Sequence, residues 1–126
     1  MDSLAPNIFV EDINQTIEFY KLLGFDLTMT VPEEGDYVWV MMTCGSVRIM
    51  FQTFHSLGEE LPEIKRANGG SLLLYIKTKG IKQLLNKVTS KIKVLKGLET
   101  TFYGATEFSI LDNNGYVLTF AEDIET

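Results

Sequence analysis

The sequence predicts an α+β fold in which two βαβββ modules form one cupped mixed sheet with helices on its outer face. Three observations carry this. The stretch from Tyr37 to Gln52, YVWVMMT-CG-SVRIMFQ, reads as a β-hairpin: two apolar-leaning runs joined by a two-residue, glycine-containing loop at Cys44-Gly45. The order strand, helix, strand, hairpin then occurs twice along the chain. The two copies also agree locally in register, since Ile8, Ile13 and Ile17 match Ile76, Ile81 and Leu85 at one constant spacing.

In chain order, Leu4 to Val10 is a predicted strand. Asp12 opens a helix as N-cap, with Gln15 three positions on completing a capping-box pattern. Ile13, Ile17, Tyr20 and Leu23 recur at helical spacing as a buried stripe, and Gly24 stops the helix. Phe25 to Val31 is the next strand, and Pro32 to Asp36 is a turn cluster. The hairpin follows. Thr53 to Gly70 has little periodicity and is too long for a tight connection. It reads as a linker with one helical turn around Glu59 to Arg66. The pattern then restarts. Ser71 to Thr78 is a strand, Ile81, Leu84, Leu85 and Val88 mark an amphipathic helix, and Ile92 to Leu98 is a strand. Glu107 to Leu111 and Tyr116 to Glu122 form a second hairpin around Asp112-Asn113-Asn114-Gly115. The expected organisation is a single domain: module one at 1–55, a linker at 56–70 and module two at 71–126.

Alternation along the hairpins separates two faces. In the first, Val38, Val40, Met42, Val47, Ile49 and Phe51 suit packing under a helix. Tyr37, Trp39, Met41, Arg48, Met50 and Gln52 form an aromatic and methionine surface suited to a small-molecule pocket. In the second, Phe108, Ile110, Leu118 and Phe120 go to the helix, while Glu107, Ser109, Leu111, Val117 and Thr119 face the cup, with a loop of about five residues between the strands.

Composition narrows the partners. With 45% hydrophobic and 22% charged residues, the 126-residue chain is ordinary for a soluble globular protein. A net charge of −6 argues against nucleic acid or an anionic membrane as the main partner. The lysines between Lys77 and Lys96 read as the solvated face of one helix. The single cysteine, Cys44, excludes an intramolecular disulfide and fits a reducing cytosol, so a cytoplasmic location is expected. The acidic N-terminus does not read as a signal peptide, and no run approaches the length of a membrane span. One displaced histidine, His55, does not support a Ser-His-Asp set, and no phosphate-cradling G-x-x-x-x-G-K occurs.

Two strings, PNIFVEDINQTIEFYKLLGF at one end and EFSILDNNGYVLTFAE at the other, resemble the vicinal oxygen chelate superfamily. It includes glyoxalase I, extradiol dioxygenases, fosfomycin-resistance transferases and bleomycin-resistance proteins. The resemblance spans the chain and is specific for the fold rather than the reaction. It implies metal-ligand positions on the first strand of each module, a hairpin strand and the last strand. Here these are Ala5, Ser71, Arg48 or Met50, and Thr119, none suited to a hard divalent cation. No metal or cofactor is therefore expected, and the chain looks most like the metal-free, bleomycin-resistance-like branch. That branch implies a homodimer that sequesters a small, partly aromatic molecule in its cup.

The candidate ligand-binding residues are Asn7, Phe9, Tyr37, Trp39, Met41, Arg48, Met50, Gln52, Tyr75, Glu107, Ser109 and Thr119. Trp39 is either a ligand-stacking ring or a core or interface aromatic. Arg48 either anchors a ligand carboxylate or phosphate or pairs internally with Glu107. Asn7 and Gln52 either orient a ligand or satisfy each other. Tyr37, Tyr75 and Tyr103 offer hydroxyls. Met41 and Met50 supply adaptable packing. Burial raising its carboxyl pKa would let Glu107 serve as a general base. That is the basis of the alternative function, a glyoxalase-like lyase or isomerase acting on a small carbonyl compound. A structural module whose cup is closed by side chains is the third possibility.

Overall fold

A computed structural model describes residues 1–124. The chain divides into two compact units, Met1–Asn68 and Gly69–Thr126. The first contains β1 (Asn7–Val10), α1 (Ile13–Leu22), β2 (Asp26–Val31), β3 (Trp39–Cys44), β4 (Val47–Thr53) and α2 (Phe54–Leu57). Its four strands lie in the order β1-β4-β3-β2, with β1 parallel to β4 and the other pairs antiparallel. The second contains β5 (Leu73–Lys77), α3 (Ile81–Val88), β6 (Val94–Thr100), β7 (Ala105–Leu111) and β8 (Val117–Asp123). Its order, β5-β8-β7-β6, repeats the first unit strand for strand, again with only the outer β5–β8 pair parallel. Both units are thus βαβββ modules of an α+β fold.

In the first unit the Asp12 carboxylate accepts from the Gln15 amide at 3.0 Å and starts α1. The Gly24 amide donates to Lys21 and that of Phe25 to Tyr20, both at 3.0 Å, with Gly24 at φ 98°, which ends the helix in a Schellman turn. The helix buries Ile13, Thr16, Ile17 and Tyr20 against β2, β3 and β4. The strands answer with Val10, Val40, Met42, Ile49 and Phe51, all almost fully buried.

The second unit begins its helix differently. Gly80 occupies the N-cap in a left-handed conformation without a side-chain cap. The Glu122 carboxylate on β8 accepts instead from the amides of Gly80 (3.0 Å) and Ile81 (3.2 Å). Ile81 and Val88 are buried, Leu84 and Leu85 half-buried, against β7 and β8. Phe108, Ile110, Leu118 and Phe120 form the sheet side of that core, with the two phenylalanine rings stacked at 5.2 Å. Leu111 pairs with Val117, which leaves the expected five-residue loop. There the Asp112 carboxylate accepts from the amides of Asn114 (2.9 Å) and Tyr116 (2.8 Å).

Several boundaries differ from expectation. The first hairpin turns at Gly45-Ser46 rather than Cys44-Gly45, so Cys44 pairs with Val47 and Trp39 with Gln52. Tight hairpin turns of this kind need positive φ at their first loop residue, and Gly45 at φ 58° supplies it where Cys44 would be strained. Moving the turn by one residue slides the register by two, so every side chain keeps its face. Tyr37 consequently lies before β3, outside the hairpin. The helical turn expected at Glu59 to Arg66 occurs earlier, as α2, because the Thr53 hydroxyl accepts from the Ser56 amide at 3.1 Å and Leu57 is buried beneath it. In the segment that follows, the Arg66 guanidinium donates to the carbonyls of Gly58 (2.9 Å), Leu61 (2.7 Å), Ile64 (2.5 Å) and Glu60. One side chain thus satisfies backbone acceptors that helix would otherwise satisfy. β1, β5 and β6 begin at Asn7, Leu73 and Val94, later than the predicted Leu4, Ser71 and Ile92.

Candidate functional site

Each sheet has one face covered by its helix and one face that is not. On the uncovered face of the first, strand pairing sets the candidates in rungs. Phe9, Gln52, Trp39 and Val31 stand level across β1, β4, β3 and β2, and Asn7, Met50, Met41 and Met29 form the next rung. Phe9, Trp39, Met41, Met50 and Gln52 are all half-buried, the state of a side chain that lines a surface rather than fills a core. Tyr37 is half-buried in the loop before β3. Arg48 departs from its expected place. It sits level with Thr43 at the turn end of β4 and is exposed, so it carries no burial cost and forms no enclosed anion clamp.

Asn7 and Gln52 satisfy each other, Asn7 Nδ2 donating to Gln52 Oε1 at 3.1 Å. The link continues from Gln52 Nε2 to Ser56 Oγ (3.2 Å) and from Ser56 Oγ to the Thr53 carbonyl (2.9 Å). Ser56 had no place among the candidates. Its signal was present in the T-x-x-S spacing, which is a helix N-cap pattern.

On the face of the second sheet turned away from α3, Tyr75, the buried Thr119 and Ser109 stand level across β5, β8 and β7. The Ser109 and Thr119 hydroxyls share a hydrogen bond at 2.8 Å. Glu107 is buried, and both Tyr75 and Tyr103 donate to its Oε2 at 2.5 Å. The carboxylate expected to meet Arg48 is therefore engaged by two phenols. Lys77 lies 5.6 Å from the centre of the Tyr75 ring and pairs with Asp123. Tyr103 belongs to the loop between β6 and β7, and its approach to Glu107 at i+4 across a turn has no periodic signature.

The charge consequence is opposite to the one expected of burial. Hydrogen bonds from Tyr103 and Tyr75 hold the Glu107 carboxyl below its ordinary range, outweighing desolvation. The same bonds push Tyr103 up to about 12 and raise Tyr75. A group with a depressed folded pKa stabilises the fold above its unfolded pKa and loses that contribution as pH falls through the folded value. The phenols stabilise below about 10 and lose their contribution as pH rises through their raised values. In a titration of phenolate absorbance, Glu107→Gln is expected to return Tyr75 and Tyr103 toward 10.0. Tyr116, raised by burial instead, stays where it is. An unchanged curve would break the assignment of both phenols to Glu107.

The positions at which the resembled superfamily holds a metal do not fit one here. Ala5 and Ser71 precede β1 and β5, Arg48 is cationic, Met50 offers only a thioether, and the Thr119 hydroxyl bonds Ser109. Among the described residues no group of three or more His, Cys, Asp or Glu side chains could hold an ion, and His55 is exposed on α2. Also among them, no helix is long and apolar enough to cross a membrane.

The family model for the Glyoxalase/Bleomycin resistance protein/Dioxygenase superfamily matches residues 2–120. Solved structures agree at the level of the fold. TioX from Micromonospora sp. ML1 is 15% identical with a TM-score of 0.78, covering 98% of this chain and 100% of that one. A glyoxalase/bleomycin resistance protein/dioxygenase family enzyme from Burkholderia phytofirmans PsJN is 18% identical with a TM-score of 0.77, covering 95% and 97%. A bleomycin resistance determinant encoded on the transposon Tn5 is 19% identical with a TM-score of 0.67, covering 98% of each chain. No curated protein has a matching sequence.

Proposed function

The chain belongs to the glyoxalase/bleomycin resistance protein/dioxygenase superfamily, and from that premise we propose that it is a metal-independent binding protein that sequesters a small, partly aromatic molecule. The observation that carries this is the half-buried Trp39, held on the uncovered sheet face beside Met41, Met50 and the Asn7–Gln52 amide pair. A flat indole among deformable thioethers, with a few fixed polar groups at its edge, is the composition of a small-molecule site. The unsuited donor set supports metal independence, and a neighbour named as a bleomycin resistance determinant supports sequestration. A homodimer goes with this reading. Leu95, Leu98 and Phe102 of the second unit are exposed, and a second copy would cover them. Sedimentation as a monomer would remove that part.

The lyase or isomerase alternative gains nothing from Glu107. A general base near neutrality needs a raised carboxyl pKa, and two phenols push this one down.

Trp39 is the only tryptophan, so its fluorescence reports directly on the site. In a screen of planar heteroaromatic antibiotics and metabolites, at least one compound is expected to change its emission saturably. Calorimetry with Trp39→Leu should then show a loss of about 2–3 kcal/mol, roughly 30- to 150-fold in Kd. A ligand held equally well by Trp39→Leu would overturn the reading.

A further inference from the structure

We propose that Asn68-Gly69 is a self-modification site, at which the Asn68 carboxamide is converted through a succinimide to an aspartate or an isoaspartate. The dipeptide Asn-Gly occurs twice, at Asn68-Gly69 and Asn114-Gly115, and the fold treats the two differently. Asn68 is exposed in the segment between α2 and β5, outside any helix or strand. Among the described residues, neither its carboxamide nor the Gly69 amide takes part in a hydrogen bond. Gly69 also has no side chain to shield that amide. Asn114, by contrast, is 3% exposed. Its amide donates to Asp112 Oδ1 at 2.9 Å and its Nδ2 to Asn113 Oδ1 at 3.4 Å. The Gly115 amide, whose nitrogen would have to attack, donates to the Asp112 carbonyl at 3.2 Å.

The reaction needs only water. The Gly69 nitrogen gives up its proton and attacks Asn68 Cγ. The new N–Cγ bond closes a ring, the Cγ–Nδ2 bond breaks, and Nδ2 leaves as ammonia with that proton. Water then opens the ring at one of its two carbonyls. Cleavage of N–Cγ leaves aspartate. Cleavage between the same nitrogen and the Asn68 backbone carbonyl carbon leaves isoaspartate, with the main chain routed through the former side chain. The reacting nitrogen belongs to the bond that joins the two compact units, which meet between Asn68 and Gly69. Isoaspartate lengthens that join by a carbon, and either product adds a negative charge to a chain already at −6. Asn114 can follow the same course only after its loop opens. Breaking its hydrogen bonds and wetting a buried side chain slow it roughly a hundredfold relative to Asn68.

Incubation of the folded, full chain in mildly alkaline buffer, sampled over time, tests this. Trypsin puts the two sites in separate peptides, 67–77 and 97–126, whose mass and isoaspartate content are read by mass spectrometry with electron-transfer fragmentation. Conversion in 67–77 is expected to run roughly a hundredfold faster than in 97–126. In urea, where the second loop is open, the two rates should come together. Asn68→Gln, at an exposed position, should abolish the acidic species that accumulates on anion exchange, because the longer side chain closes its larger ring far more slowly. Equal rates in the folded chain, faster conversion of Asn114, rates that stay apart in urea, or an acidic species that persists in Asn68→Gln overturns the proposal. So does an Asn68 that stays intact in the folded chain while both sites convert in urea.

Discussion

Phe51→Ala is expected to lower the free energy of unfolding by about 3–5 kcal/mol. Typical domains have about 5–15 kcal/mol in all. Phe51 is fully buried, and its ring lies 4.8 Å from that of Tyr20, which is also fully buried. It pairs with Ile8 on one side and Val40 on the other, so the cavity left by truncation opens in the middle of the core of the first unit. The adjacent Met50 points to the other face and is half-buried. Met50→Ala should cost less, about 2 kcal/mol, because part of its surface stays in water and its truncation leaves no sealed cavity. Urea unfolding of the two variants compares the two faces of one strand at consecutive positions. Equal losses would show that the uncovered face is not a ligand-facing surface but part of a second core.

Asp112→Ala is expected to cost about 3 kcal/mol, because hydrogen bonds to a charged acceptor contribute about 1.5–3 kcal/mol each. The Asp112 side chain accepts from the Asn114 and Tyr116 amides, and both Asp112 and Asn114 are buried. The loop cannot easily rebuild elsewhere. Gly115 has φ 81°, and a Cβ on Gly69 would lie 3.1 Å from its carbonyl oxygen. Asp112→Asn keeps an acceptor at the same place and should recover about half of the loss, because hydrogen bonds to a neutral acceptor are roughly half as strong. Thermal unfolding that ranks the asparagine variant with the alanine variant would contradict the Asx-turn account.

These two sites also show how much of the fold is legible in the sequence. The D-x-N-G-Y string identifies both a family resemblance and a loop, and its asparagine, glycine and aspartate each have a local backbone reason to be there. The faces of the hairpins were legible for a similar reason. Burial alternates with a period of two, and a turn misplaced by one residue shifts pairing by two, so Val40, Ile49 and Phe51 go to the core in either register. The Asn7–Gln52 contact was legible as one of two alternatives, because both are polar residues facing the same side. What was not legible depends on contacts that no short-range pattern encodes. Tyr75 and Tyr103 reach Glu107 from a strand two places across the sheet and from a loop, and they reverse the direction in which burial alone would move its proton. Alternation alone places Arg48 on the enclosed face, because a period of two carries no information about where a strand ends. A residue beside a turn meets water even on an inward-facing position.

The two helices differ in where their first amides find acceptors. Asp12 serves α1 from three residues away, whereas the start of α3 is served by Glu122, more than forty residues further along. An isolated helix as short as either is marginal in water. During synthesis the cap of the first helix is therefore made before the helix itself, while the acceptor for the other exists only once residue 122 has been made and its strand has docked. The cap of the second helix is thereby completed only when its sheet is.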